Sequence, residues 1–498
     1  MPAYNQIIVG AGISGMTSAL LLAKQGFKVA LVEAFPLLGP TVRGFNKYGV
    51  HFETGIHLIG GMGDGDPLDT YFKHLGIAEK LRKIPFDRHG CDCFRFEKQG
   101  REICLPYGYE RVRNSLHEAF PAEKQAIDKY LQRLQTIFDS SSFLNFNLDF
   151  NLDSLAHDET ESLSDYLNSI TADQNIKDLL SCHSLLYGTP PHEAMLSTHA
   201  LVAGSYFRSS HTIEGGGKAL ADIYQKQLKE HGVDIYCSRK AVRITHDENK
   251  NFKSLLLDDG TELRGQICIW SAHPAAMIRC VEDGAFRPVF KRRINELQET
   301  VSALILFGIA EAPVKSLQGR SIYLWPESDY SQVLSGKTGM DDNAVFLSAG
   351  QTLGRKGEQS ITAIMPCSIE KFSRWQDSGL NNRPQEYLDF KAEVMAEFEK
   401  QVFARCPELR NKVEFIDAAT PLTLRDYCHS PYGSLYGAAH TVSQYNPLPA
   451  TKIKGLLLAG QSIIAPGVMG AVVSAYLTCG FIYGHEKIHK ELQCIYNA

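Results

Sequence analysis

The sequence is short of every feature that would direct it to a metal, a nucleic acid or a membrane. None of its twelve cysteines form a C-x-x-C pair, and no cysteine–histidine group has metal-ligand spacing, so no metal site is expected. Cys91 and Cys93 lie two apart and the rest are scattered, which reads as buried free thiols in a reducing compartment. Basic residues are not in excess: 51 Lys and Arg stand against 56 Asp and Glu, for a net charge of −5. Such a chain has no electrostatic drive toward a phosphate backbone, so no nucleic acid partner is expected. A basic leader is missing too, since the strand-like run Gln6-Ile7-Ile8-Val9 begins almost at once, and a cytoplasmic location is expected. The stretch from Gly455 to Gly484 carries no charge, but it is rich in glycine and broken by Pro466. It reads as a buried strand followed by a buried helix rather than a membrane span. No internal repeat or low-complexity tract is visible. With 44% hydrophobic and 21% charged residues, 498 residues are expected to form two domains.

What is present is an alternation of strands and helices. Gln6–Val9 reads as a strand, Gly10–Gly15 as a glycine-rich turn, Met16–Gln25 as a helix stopped by Gly26, and Lys28–Val32 as a second strand. From Asp66 to Ser205 the pattern turns helical, with apolar residues three to four apart in Leu68–Leu75 and Glu123–Phe138, and a polar loop at Asp139–Asp158. Alternation resumes with a helix at Lys218–Glu230 and strands at Val233–Tyr236, Ala241–His246, Phe252–Asp258 and Ile267–Trp270, with Asp259-Gly260 as a hairpin turn. Ala275–Asn446 reads as a second insertion, holding a charged helix at Lys291–Glu299, a strand at Ser302–Phe307 and a long helix at Gln385–Cys406. The chain closes with strand Leu456–Ala459 and the apolar helix. This order implies one discontinuous nucleotide-binding domain interrupted twice.

Gly10-Ala11-Gly12-Ile13-Ser14-Gly15 is a complete G-x-G-x-x-G. The first glycine permits the tight turn, the second lets backbone approach a diphosphate, and the third lets the helix pack close on the sheet. Alone the glycines say little. Here they follow a strand, open a helix and precede a strand ending in Glu33, eighteen residues after Gly15, where a carboxylate accepts bonds from ribose hydroxyls.

Four segments go further. They are the fingerprint with Glu33; Gly39-Pro40-Thr41-Val42-Arg43-Gly44-Phe45 running on to Glu53-Thr54-Gly55-Ile56-His57; Glu214-Gly215-Gly216-Gly217-Lys218 leading to Ala241-Val242-Arg243-Ile244; and Gly455–Ser462 followed by Pro466-Gly467-Val468-Met469-Gly470-Ala471. In these the chain resembles the flavoprotein superfamily of phytoene desaturases, carotenoid isomerases and retinol saturases, and within it the retinol saturase branch. The superfamily usually has Gly-Gly where this chain has Gly39-Pro40, and Asp where it has Glu53. The resemblance implies FAD and an α/β fold: a discontinuous, amine-oxidase-like Rossmann domain (1–70, 210–278, 445–498) with an inserted α+β substrate domain (71–209, 279–444). It implies cofactor contacts from Gly10, Ala11, Gly12, Ile13, Ser14, Gly15, Glu33, Ala34, Arg43, Gly55, Ile56, His57, Val242, Gly460, Gln461, Gly467, Val468 and Met469. Val242 would lie beside the adenine and Arg43 would reach the diphosphate. A second helix N-terminus near Gly467 would stabilise negative charge on the reduced ring.

The same resemblance implies a hydrophobic, conjugated small-molecule substrate and carbon–carbon saturation or desaturation by hydride exchange with the flavin. Leu201, Val202, Tyr206 and Phe207 are the expected tunnel residues, and His57, Tyr206 and His440 the candidate proton donors, with His273 behind them. Three alternatives stay open: a redox-neutral polyene isomerase, a flavin oxidase acting on a C–N bond, and a flavin-free binding protein like the GDP-dissociation inhibitors of this architecture. The intact fingerprint argues against the last. Phe286–Leu297, with Lys291, Arg292 and Arg293, is either a core-packed helix or a basic amphipathic one that touches a membrane surface. No oligomeric state is assigned.

Overall fold

A short apolar run followed by glycines leaves the chain little choice at its start. Ala3–Val9 is a strand, Ile13–Lys24 a helix, and Val29–Val32 a strand parallel to the first. The helix begins three residues earlier than apolar spacing alone suggests, because Gly12 is its N-cap. A methyl group on Gly15 would lie 1.8 Å from the Gly10 carbonyl oxygen, so only glycine lets this helix approach the turn so closely. The computed structural model describes residues 3–97, 100–155, 160–326 and 330–498.

Two seven-stranded sheets organise the molecule. In the first, Asp234–Tyr236, Val29–Val32, Ala3–Val9, Glu262–Trp270 and Leu456–Leu458 run parallel, and the antiparallel strands Phe252–Leu257 and Ala241–His246 extend one edge. The hairpin at Asp259-Gly260 is present. Helix Gly467–Tyr483 is buried along most of its length, as the uncharged stretch requires. Among the described residues no helix is long and apolar enough to cross a membrane.

The second sheet has the order Val413–Ala419, Ala303–Ala310, Gln359–Pro366, Val345–Ala349, Ser321–Trp325, Asp92–Phe96, Arg101–Leu105. Its two faces separate by the period of two that a strand imposes. Cys93, Ile322, Leu324, Val345 and Leu347 join Phe398 and Val402 of helix Gln385–Arg405 in one core. Phe94, Tyr323 and Phe346 join Tyr130, Ala200 and Phe207 of the helical layer in another.

Several expectations are corrected here. Cys93 and Cys104 are bonded as a disulfide, while the other ten cysteines are free. The two face each other in the register of an antiparallel pair, which an eleven-residue separation hides. The charged helix spans Pro288–Asn295 rather than Lys291–Glu299, with proline at its first turn. Phe286, Ile294 and Leu297 are buried in the core and only Val289 is well exposed, so the apolar face a membrane would need is already covered. The polar loop at Asp139–Asp158 holds a short turn of helix at Leu152–Leu155, and residues 156–158 lie outside the described residues.

Replacing Gly15 by alanine is expected to force the first helix away from the turn. The expected outcome is a cost of about 1–3 kcal/mol, measured as the denaturant midpoint of the purified protein.

Candidate functional site

A cavity of about 1300 Å³ runs from the glycine turn to the underside of the second sheet. Its first half is backbone-lined. Gly12, Ile13 and Ser14 open one helix there, and Gly467, Val468 and Met469 open another. Neither helix has a side-chain cap, and a Cβ on Gly12 or Gly467 would meet nothing within 4 Å. Two uncapped N-termini facing one cavity favour anions, and the open space fits a diphosphate and an electron-rich ring. The far half is apolar, lined by Leu185, Leu186, Leu201, Val202, Phe346 and Ile364.

Glu33 sits on the wall of the first half. Its carboxylate accepts from the backbone N–H of Ala11 at 2.7 Å and of Phe35 at 2.9 Å, and burial pushes its pKa up against those bonds. A carboxylate has about four lone-pair sites, so capacity for a ligand hydroxyl remains. Phe35 stacks on His429 at 4.7 Å across the same end of the cavity. Val242 is 41% exposed and lines it as well.

Most residues singled out in the sequence line this cavity: Gly10, Gly12, Ile13, Ser14, Glu33, Ala34, Gly55, His57, Val242, Gly460, Gln461, Gly467, Val468 and Met469. Ala11, Gly15, Arg43 and Ile56 stand behind its wall. Arg43 donates to the Leu38 carbonyl at 2.8 Å and to Asp222 at 2.5 Å, bracing two segments, while its buried Nη2 has no partner among the described residues. Glu53 accepts from the Gly217 N–H at 3.0 Å. A Cβ on Gly216 would come within 1.6 Å of the same carboxylate.

The candidate acids separate cleanly. His57 lines the cavity; its Nδ1 meets Ser348 Oγ at 3.0 Å, and its buried Nε2 has no partner among the described residues. Burial holds its pKa down at about 4, with Glu53 pulling weakly the other way. Tyr206 also lines the cavity, its ring stacked on His183. His440 does not reach the cavity: its Nε2 lies 2.9 Å from the Gln461 carbonyl, and it supports that wall from behind. His273 caps helix Pro274–Cys280 and pairs with Glu299 at 2.7 Å. Phe207, expected in the tunnel, belongs to the core beyond. Ser348, Phe346 and Ile364 were not legible as site residues, because strand register alone brings them over the chamber.

The family model for flavin-containing amine oxidoreductases matches residues 13–336, well over half the chain. The chain belongs to that family. It is an FAD-dependent oxidoreductase. This flavoprotein is similar to an all-trans-retinol 13,14-reductase of Danio rerio, 25% identical over 98% of the chain and 87% of the relative. A 4,4'-diapophytoene desaturase of Methylomonas sp is 22% identical over 88% of the chain and 86% of its own length. Among solved structures, a putrescine oxidase variant aligns with TM-score 0.64 at 16% identity, covering 97% of this chain and 99% of the other. An oxidoreductase from Methanosarcina mazei aligns with TM-score 0.66 at 15% identity, covering 95% and 98%. These structures share the fold of the flavoprotein.

Two buried imidazoles make its stability sensitive to acid. His57 is held at about 4, and His199, bonded to Tyr130 and Tyr187, at about 3, both by burial. The unfolded chain binds these protons near pH 6.5, so the folded state loses stability as pH falls from that value toward 4. For His199 the loss at pH 5 is on the order of 2 kcal/mol. Thermal midpoints from pH 7 to 4.5 are expected to fall less steeply in His199→Gln than in the wild type.

Proposed function

We propose that the protein reduces, or in reverse desaturates, a carbon–carbon double bond of a long apolar conjugated substrate. The observation that carries this reading is the cavity itself. It runs without a break from two helix N-termini into an apolar chamber whose polar groups are few, and His57 sits where the two halves meet. The similarity to retinol reductases over nearly the whole chain supports the same reaction class.

When bound, FAD supplies or takes the hydride. The chain does the rest. The N–H groups at Gly12–Ser14 would hold the diphosphate, and Glu33 and Val242 the adenosine end. The start of helix Gly467–Tyr483, with Gly460 and Gln461, would face the ring. Leu201, Val202, Phe346 and Ile364 would hold the polyene and keep water out. His57, neutral at physiological pH, would present one polar atom to the substrate. Within this reading residues 1–70, 210–278 and 445–498 form the cofactor domain, and 71–209 and 279–444 the substrate domain.

The test is anaerobic. Protein reduced with dithionite, freed of excess reagent, is mixed with a panel of retinoids and carotenoids while flavin absorbance is followed. At least one polyene is expected to reoxidise the flavin and to gain two hydrogens by mass spectrometry. Geometrical isomers formed with the flavin still reduced would replace this reading with the isomerase.

A further inference from the structure

The face of the second sheet that covers the chamber is largely apolar, built of Phe94, Tyr323, Phe346 and Ile364. A line of polar residues nevertheless crosses it at right angles to the strands. Ser348 bonds His57 Nδ1 at 3.0 Å. Ser321 stands opposite Ser348, one residue beyond the paired Ile322 and Leu347. Asp92 is the register partner of Ser321 on the next strand, and its Oδ2 meets His183 Nε2 at 3.2 Å. Directly paired residues point to the same face, so Ser348, Ser321 and Asp92 succeed one another at Cα spacings of about 5 Å. Ser321 Oγ bonds neither neighbour directly, and one water on each side would span gaps of that size.

Burial makes the line expensive unless it is used. Ser321 is 0% exposed, Asp92 2%, His183 3% and Ser348 5%. Ser321 Oγ, Asp92 Oδ1 and His57 Nε2 have no hydrogen-bond partner among the described residues. A buried polar atom without a partner costs about 1–3 kcal/mol, so three along one line call for a ligand, water or moving protons.

We propose that His183, Asp92, Ser321, Ser348 and His57 form a proton relay that ends at the substrate carbon. The proposal rests on the double-bond reduction set out above. There the double bond takes a hydride at one carbon, from a cofactor recharged by an external two-electron donor, and a proton at the other. That proton leaves His57 Nε2. Nδ1 takes the Ser348 hydroxyl proton in the same event; through one bridging water Ser348 takes that of Ser321, and through a second Ser321 takes the proton shared by Asp92 and His183, which is replaced from solvent between turnovers. The imidazole exchanges one neutral tautomer for the other, so no charge is left in the apolar chamber. Reorientation of the ring and hydroxyls between turnovers resets the line. In the relay Oγ–H of Ser348 points to Nδ1, which requires the resting proton of His57 on Nε2.

Two measurements test the relay. In the flavin-loaded protein labelled with ¹⁵N-histidine, the His57 signals, assigned by their loss in His57→Gln, are expected to show a protonated Nε2 and an unprotonated Nδ1. In stopped-flow reoxidation of the reduced protein by a polyene, the wild type is expected to show a solvent deuterium isotope effect. Ser321→Ala is expected to slow this step about 10²-fold, and Ser321→Thr, which keeps the hydroxyl, to restore most of the rate. Flavin spectra and dithionite reduction should match across the variants. A proton found on Nδ1, or Ser321→Ala reacting at the wild-type rate with the wild-type isotope effect, overturns the relay. Should Ser321→Ala lose its flavin, Asp92→Asn is read in the same way. If no polyene reoxidises the wild type, the reaction reading falls, and the tautomer of His57 decides the relay alone.

Discussion

The Glu53 carboxylate holds the cradle together. It accepts from the backbone of Gly217 and fills the space that a side chain on Gly216 would need. That one contact fixes the loop carrying Thr41 and Val42 against the start of helix Gly216–Glu230, some 160 residues away in sequence. The adjoining backbone is equally close: a Cβ on Gly217 would lie 1.8 Å from the Val42 carbonyl oxygen. Arg43 and Asp222 bridge the same two segments. His57, four residues beyond Glu53, inherits its position from this clamp. The longer carboxylate, where the superfamily usually has Asp, spans the gap without strain visible in its bonding.

The cavity divides its labour by polarity. Helix N-termini provide positive potential without a titratable group, so their part of the field at the glycine-turn end does not change with pH. The other end is apolar, and burial keeps its histidine uncharged. The charged side chains that line the cavity, Glu33, Arg239, Lys240 and Arg279 among them, stand away from the apolar chamber of Leu185, Leu201 and Phe346. A hydrophobic molecule in the chamber would meet a surface of matching polarity, and negative charge at the other end would be met by fixed dipoles.

The sequence disclosed what local chemistry determines. The glycine turn, the carboxylate at Glu33 and the uncharged helix that begins at Gly467 are each written within a few dozen residues, and each contributes to the lining of one cavity. Features set by long-range register were hidden. The pairing of Cys93 with Cys104 depends on a hairpin register, and the placing of Ser348 over His57 depends on strands from two insertions meeting in one sheet. Arg43 and His440 show another limit. Residue type and neighbourhood pointed to the site, but side-chain direction turned one toward Asp222 and the other toward the back of Gln461. Phe207 differs from Tyr206 by one position on a helix and so faces the core instead of the chamber.

The order of segments has a consequence for biosynthesis. The strand Leu456–Leu458 pairs with Glu262–Trp270, and the helix that follows it supplies the second N-terminus at the cavity. Both follow every strand of the second sheet in chain order. Until then the nascent chain carries the glycine turn and the apolar chamber but only half of the wall between them. The cavity is therefore closed on that side only once helix Gly467–Tyr483 has joined the first sheet. Closure of the cavity is thus a long-range event, and apolar surface left open until it happens is prone to aggregation.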